Sequence, residues 1–219
     1  MTISVIVPVY ITNDAQIAMT MRCLESAKLT KLTYELIIVE TCSDYFKDEC
    51  DIHIYEKEKT TCTKSINRGF KCASGDYVVL LTNDVILKSS WLECLLDCFR
   101  IKDCGLSTLA TTQLKHVEQD KIDEGIWFSV AMMKKRSDYF DENYTNSWDD
   151  SDLIMRTYID DKKIYRNFNC VVDHLDGATE HIKADHMDNF MKNREYFINK
   201  YKNHTDNRMY KLLTEGYII

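Results

Sequence analysis

The sequence predicts an α/β fold: a central, mostly parallel mixed sheet flanked by helices on both faces. Three observations predict it. The segment ISVIVPVY, residues 3–10, is nearly all apolar and β-rich, like a strand buried on both faces. Strand-like and helix-like segments then alternate through the first half, the order that makes parallel pairing with crossover helices. The chain has 219 residues, a single proline and no glycine- or serine-rich linker, so one domain is expected over 1–219.

The elements follow in order. Residues 14–27 (DAQIAMTMRCLESA) have helical spacing, with Ile17, Met21 and Leu24 on one face and Asp14 as a cap. YELIIVE, residues 34–40, is a second buried strand and DIHIYE, residues 51–56, a short third. Residues 60–73 read as a helix with Ile66 and Phe70 inward, and Gly75-Asp76 turns the chain into YVVLLT, residues 77–82. SSWLECLLDCF, residues 89–99, is a helix capped by Ser89 or Ser90. GLSTLAT (105–111) and GIWFSVAMMKK (125–135) read as strands. An acidic knot SWDDSDLIMRTY (147–158), an apolar stretch NFNCVVDH (167–174) and a helical tail over 185–201 complete the chain. Residues 1–110 read as a first half of the domain and 111–205 as a second, followed by a C-terminal tail.

Composition excludes several classes. A formal net charge of −7 argues against nucleic-acid binding, which needs a basic face. No apolar run approaches the ~20 residues of a membrane span, and the N-terminus lacks the marks of a signal peptide. Nine cysteines without a CxxC pair point to a reducing, cytoplasmic setting rather than a disulfide or zinc scaffold. Cys94 and Cys98, four apart on a helix, read as small core residues. His181, Asp185 and His186 fit no metal spacing and read as surface residues.

In open α/β sheets ligands gather beyond the carboxyl ends of the strands. The residues there are Pro8-Val9-Tyr10, Glu40 with Ser43, and Thr82-Asn83-Asp84. Asp84, an oxygen donor at a strand end, suits a divalent cation such as Mg²⁺ or Mn²⁺, which lets an acidic protein bind a diphosphate. Asn67 and Arg68 add a hydrogen bond and a positive charge. The knot places Asp149, Asp150 and Asp152 together beside Trp148; an aromatic next to a carboxylate can hold a sugar ring over a general base. Asp in the first turn of a helix accounts for part of this acidity without chemistry. His174 ends another strand. Residues 138–146 are polar and read as a lid.

Together, SVIVPVY, ELIIVETCS, NRGFKCASGDYVVLLTND, WDDSDLIMR and VVDH resemble family 2 glycosyltransferases of the GT-A fold across about residues 3–200. NRExFxxKY, residues 193–201, resembles the closing helix of the rhamnosyltransferase-like branch. The resemblance implies a nucleotide-diphospho-sugar donor (UDP-, dTDP- or GDP-linked), a Mn²⁺ or Mg²⁺ ion, a glycan, lipid-linked or protein acceptor, and inversion at the anomeric carbon. It implies that Pro8, Val9 and Tyr10 flank the base, that Glu40 and Ser43 bind it, and that Asn67, Arg68 and Asn83 lie near the ribose and diphosphate. It implies that Asp84 is the metal ligand, with His174 as helper. Asp150 is implied as base with Asp149 beside it, and Asp152 and Arg156 as supports; Trp148 and Asp152 are expected on the acceptor side. The chain departs from the family pattern at Glu40 (usually Asp), Cys42 (usually Gly) and Thr82 (usually Asp). A peripheral contact with a membrane is compatible with a lipid-linked acceptor. A sugar nucleotidyltransferase would need an N-terminal glycine-rich loop, which ISVIVPVYITND lacks. A non-catalytic GT-A module that binds donor or glycan is the alternative.

Overall fold

Strand β1 (Ile3–Tyr10) is the spine of the molecule, because its side chains alternate between two cores. Ile6 belongs to one cluster with Ile37, Val39, Ile66 and Phe70. Val5, Val7 and Val9 belong to the other with Leu24, Ile38 and Trp91. Ile3, Val5, Ile6 and Val7 sit at 0–3% exposure, and the one polar residue among them, buried Ser4, donates to Glu35 at 2.6 Å. The computed structural model describes residues 1–112, 121–126, 128–137, 139–175 and 183–216, without the side chains of 183–186.

The chain continues through α1 (Asp14–Ala27), β2 (Glu35–Thr41), β3 (Ile52–Glu56), α2 (Cys62–Cys72), β4 (Tyr77–Leu81), β5 (Val85–Ile86), α3 (Trp91–Cys98) and β6 (Cys104–Thr111). The second half holds β7 (Ile122–Glu124), β8 (Val130–Lys134), α4 (Asp149–Ile159), β9 (Lys163–His174), α5 (Lys183–Lys200) and α6 (Arg208–Glu215). The strand order is β3-β2-β1-β4-β8-β6-β9-β5, with β7 also on β9. Strands β3, β2, β1 and β4 pair in parallel, and β8 joins β4 and β6 antiparallel. The predicted mixed α/β sheet is the fold of the protein.

Helix α2 packs against β1 and β2 at close range. A Cβ on Gly69 would lie 2.5 Å from Ile6 Cγ2, so only glycine allows this approach. Gly75 is equally required, since a Cβ there would lie 2.6 Å from the Ser4 backbone nitrogen.

Local details differ from the sequence expectation. Asn13, not Asp14, caps α1, its side chain accepting from the Gln16 N–H. Ser90 sits at the N-cap of α3 with φ 62° and makes no side-chain cap bond. The strand expected over 125–135 is confined to Val130–Lys134. The tail helix begins at Lys183. Strands β5 and β7 and helix α6 went unread: the two strands are only two and three residues long, so they carry no periodicity. Helix α6 does carry a signal, Asn207 as cap before Met209, Tyr210 and Leu213, all buried.

Candidate active site

The turn Thr82-Asn83-Asp84 ends β4, and each side chain has a separate role. The Thr82 hydroxyl donates to the Ser129 carbonyl (3.2 Å), and the Asn83 amide donates to the Thr20 hydroxyl on α1 (2.9 Å). Both fasten the turn that carries Asp84. Immediately after it, β5 pairs antiparallel with β9, setting Val85 opposite His174. That short ladder brings His174 Nε2 to 3.4 Å from Asp84 Oδ2. The other oxygen, Oδ1, is buried without a hydrogen-bond partner. Burial tends to raise the Asp84 pKa, but the His174 ring and the Thr82 hydroxyl outweigh it and hold the carboxyl below its usual range.

The second pair of acids begins α4. Asp149 and Asp150 are both half-buried. Burial first, then the charge of Asp150, pushes Asp149 up to about 6; burial also raises Asp150. Asp150 Oδ1 accepts from the Ser151 N–H at 2.6 Å, and the Thr63 hydroxyl lies 3.5 Å from Asp149 Oδ2.

Cys62 is the first residue of α2. Desolvation by its neighbours, then the charges of Asp149 and Asp84, raise its thiol above the ordinary range, although the residue as a whole is exposed. The charges of both carboxylates are thus felt at Cys62, although only Asp149 is within reach of an α2 side chain, that of Thr63. Nothing in the sequence pattern singles out Cys62, because its importance comes from what the fold sets on either side.

Trp148 and Asp152, expected on the acceptor side, lie in the interior, 2% and 1% exposed. Trp148 packs on Phe190 and Phe197 of α5. Asp152 is the hub of a buried network: it accepts from Tyr144 (3.2 Å), Tyr201 (2.8 Å), Lys200 (2.5 Å) and Arg156 Nε (2.9 Å). Such a carboxylate fixes helices rather than touching an acceptor.

Asn67 also points inward. Its side chain brackets residue 140, donating to the Phe140 carbonyl and accepting from the Phe140 N–H, both at 2.8 Å, and it donates to Glu142. The segment expected as a lid, of which Asp138 lies outside the described residues, is thus fastened. Asp141 accepts from Lys200 and Tyr196, Asn193 donates to the Thr145 and Ser147 carbonyls, and Asn146 accepts from the Cys62 N–H.

Around the expected base site, Pro8 is half-buried, Val9 is buried and Tyr10 is exposed. Glu40 is fully buried on the α1 face. Its Oε1 accepts from the Tyr45 N–H, and its Oε2 from the Phe46 N–H with His53 Nε2 at 3.0 Å. Ser43 Oγ is buried without a hydrogen-bond partner. Cys42, where the family has glycine, holds φ 63°. Arg68 reaches back to Glu56 at the end of β3. Gly177 and His181 lie outside the described residues, as do the side chains of Asp185 and His186.

The chain is similar in fold to three crystal structures of S. aureus TarS, each at 15% identity. The 1–349 fragment matches with a TM-score of 0.57, alone and in complex with UDP, over 81% of this chain and 59% of that one. TarS without that restriction matches with a TM-score of 0.59 over 91% of this chain and 40% of that one. The chain thus spans well under two thirds of these relatives. No protein of curated function matches it by sequence. The sequence profile described as "Glycosyl transferase family 2" matches residues 4–161, which carry the β1 spine, Asp84 and the acids of α4. The chain belongs to glycosyl transferase family 2.

Proposed function

We propose that the chain is an inverting, cation-dependent hexosyltransferase. It moves a hexose or deoxyhexose from a UDP-, dTDP- or GDP-linked donor to a hydroxyl of a glycan, lipid-linked or protein acceptor. The observations that carry this reading are the Asp84–His174 pair at the end of β4 and the raised acids Asp149 and Asp150 at the start of α4. The UDP bound to the similar TarS fragment supports a nucleotide-linked donor.

The donor set fits a cation: one buried Asp84 oxygen lacks a partner, the other faces an imidazole, and both atom types bind Mn²⁺ or Mg²⁺. Among the described residues no third protein ligand joins them, so donor phosphate and water would complete the shell. Such an ion supplies charge neutralisation to a departing diphosphate. The chain's own part is positioning and proton transfer. Asp150, made more basic by burial, takes the proton of the acceptor hydroxyl as that oxygen attacks the anomeric carbon from the far side. The first turn of α4 and the segment before it hold that acid in place, so the attack is effectively intramolecular. Nine free cysteines fit a reducing, cytoplasmic setting. Among the described residues no helix is long and apolar enough to cross a membrane.

The test is a thermal-shift and turnover series with Mn²⁺ and UDP-, dTDP- and GDP-sugars. One family should raise the melting temperature only with metal. Asp84→Ala should lose that shift; a variant that keeps it overturns the assignment of Asp84. Asp150→Asn should keep the shift and lose transfer by about 10²-fold or more; an equal loss in Asp149→Asn alone would move the base by one residue. A non-catalytic donor-binding module is the second reading, favoured by Thr82 in place of an acid. Slow metal-dependent donor hydrolysis by the wild type argues against it.

A further inference from the structure

Resting on the reading of the chain as a nucleotide-sugar enzyme, the structure points to a reader of the nucleobase other than Glu40. Tyr10, Thr41 and Glu56 stand side by side at the carboxyl ends of β1, β2 and β3, since Tyr10 is in register with Thr41 and Thr41 with Glu56. At about 4.8 Å per strand, Glu56 is about 10 Å from Tyr10, within the span of a base and two side chains. All three face α2. Alternation puts Tyr10 on the same face of β1 as Ile6, which meets Gly69 of α2. The Thr41 hydroxyl is 3.4 Å from that of Ser65, and Glu56 pairs with Arg68, both on α2.

Glu40 faces the other way. It belongs to the side of the sheet that carries Val9 and Ile38, and its carboxylate is 0% exposed and bonded to its own chain. Glu56 is 7% exposed, yet only one of its oxygens is engaged: Oε2 meets the Arg68 guanidinium, and Oε1 is buried with no partner. An unpartnered buried carboxylate oxygen is costly. The Arg68 side chain against it is 46% exposed, so a change of rotamer there opens the site. Tyr10 offers an exposed ring beside it, with Lys59 Nζ 5.3 Å from the ring centroid.

We propose that Glu56 is the specificity-determining residue for the base, its Oε1 accepting the ring imide N–H of uracil, thymine or guanine beside Tyr10. Cytosine and adenine present a bare ring nitrogen at that edge and would face the carboxylate lone pair to lone pair.

The experiment is titration calorimetry of the full chain with Mn²⁺ and UDP, dTDP, GDP, CDP and ADP, for wild type, Glu56→Gln and Glu40→Gln. Wild type should bind the preferred imide-bearing diphosphate at least about tenfold more tightly than CDP or ADP, the size of one charge-assisted hydrogen bond. Glu56→Gln, whose amide presents both donor and acceptor, should shrink that ratio to about threefold or less. Glu56→Asp keeps the charge opposite Arg68, withdraws the oxygen by one methylene, and should narrow the ratio too if Gln does not fold. Glu40→Gln should leave it unchanged. If both folded Glu56 variants keep the full ratio, or if Glu40→Gln abolishes it, the inference falls and the nucleotide reading survives. If no nucleoside diphosphate binds the folded wild type, both fall.

Discussion

Cys42 carries a φ of 63° on an exposed side chain, where the family has glycine. A left-handed conformation costs an L-residue about 1–2 kcal/mol, partly offset by the entropy that glycine loses on folding. Cys42→Gly is therefore expected to stabilise the fold by about 0.5–1 kcal/mol in urea unfolding; destabilisation would show that the thiol makes a compensating contact. The departure at Cys42 was legible in the sequence, but its conformation was not. Asp149 presents a second residue-scale consequence. Its folded pKa of about 6 lies above the ordinary carboxylate value, so between about pH 4 and 6 the folded state holds the extra proton. Stability from this group falls as pH rises through that window and then levels. Asp149→Asn should leave stability near pH 4 unchanged and raise it at pH 7.5 by about 1–2 kcal/mol, in denaturant melts at the two pH values. Burial also raises Asp150, the proposed base, so the acid limb of kcat/KM should lie above the ordinary carboxylate range. A limb at pH 4.5 or below would mean the carboxylates are solvated during turnover.

Helix α5 and the segment before α4 form the element that holds the α4 acids in place. The motif NRExFxxKY states this in sequence. Asn193 holds Thr145 and Ser147, Arg194 reaches the Thr214 carbonyl, Phe197 is buried against Trp148, and Lys200 and Tyr201 bind Asp152. Only the partners were missing, because they lie twenty to forty-nine residues away and no periodicity connects them. Lys200 also binds Asp141, which holds that carboxyl down at about 2. Removing Asp152 leaves Arg156 and Lys200 facing a void, and Asp152→Ala should cost at least about 3 kcal/mol. Asn67→Ala removes the bracket on Phe140. It should raise amide exchange and proteolysis within residues 139–146 well before the sheet is affected, measured by hydrogen–deuterium exchange. Unchanged protection there would mean that Asp141, Asn193 and Asn146 suffice. The polarity that suggests a lid was read correctly as polarity; its side chains are used for anchoring.

At the scale of the whole molecule, one sheet joins the two halves. Strand β9 pairs with β5, β6 and β7 and ends at His174, beyond the last residue that the family profile matches. A chain ending at Asp161 would lack β9, α5 and α6 and leave β6 an open, apolar edge. It should show no cooperative thermal transition, whereas the full chain should melt in one step that metal and donor shift together. Two separated transitions in the full chain would divide the halves into independent units.

The sequence by itself determined the α/β class, the buried strands of the first half and the acids at their ends, because period, apolarity and strand-end polarity are local properties. The family resemblance, too, was carried by short runs in a fixed order. Tertiary structure decided which of those acids work together. Asp84 meets His174 only because a two-residue strand, β5, pairs with the end of β9. Glu40 and Glu56 face opposite sides of the sheet because side chains alternate along paired strands. Trp148 and Asp152 became interior because α5 folds over them. These are contacts between residues distant in sequence, fixed by packing and register, and no local pattern encodes them.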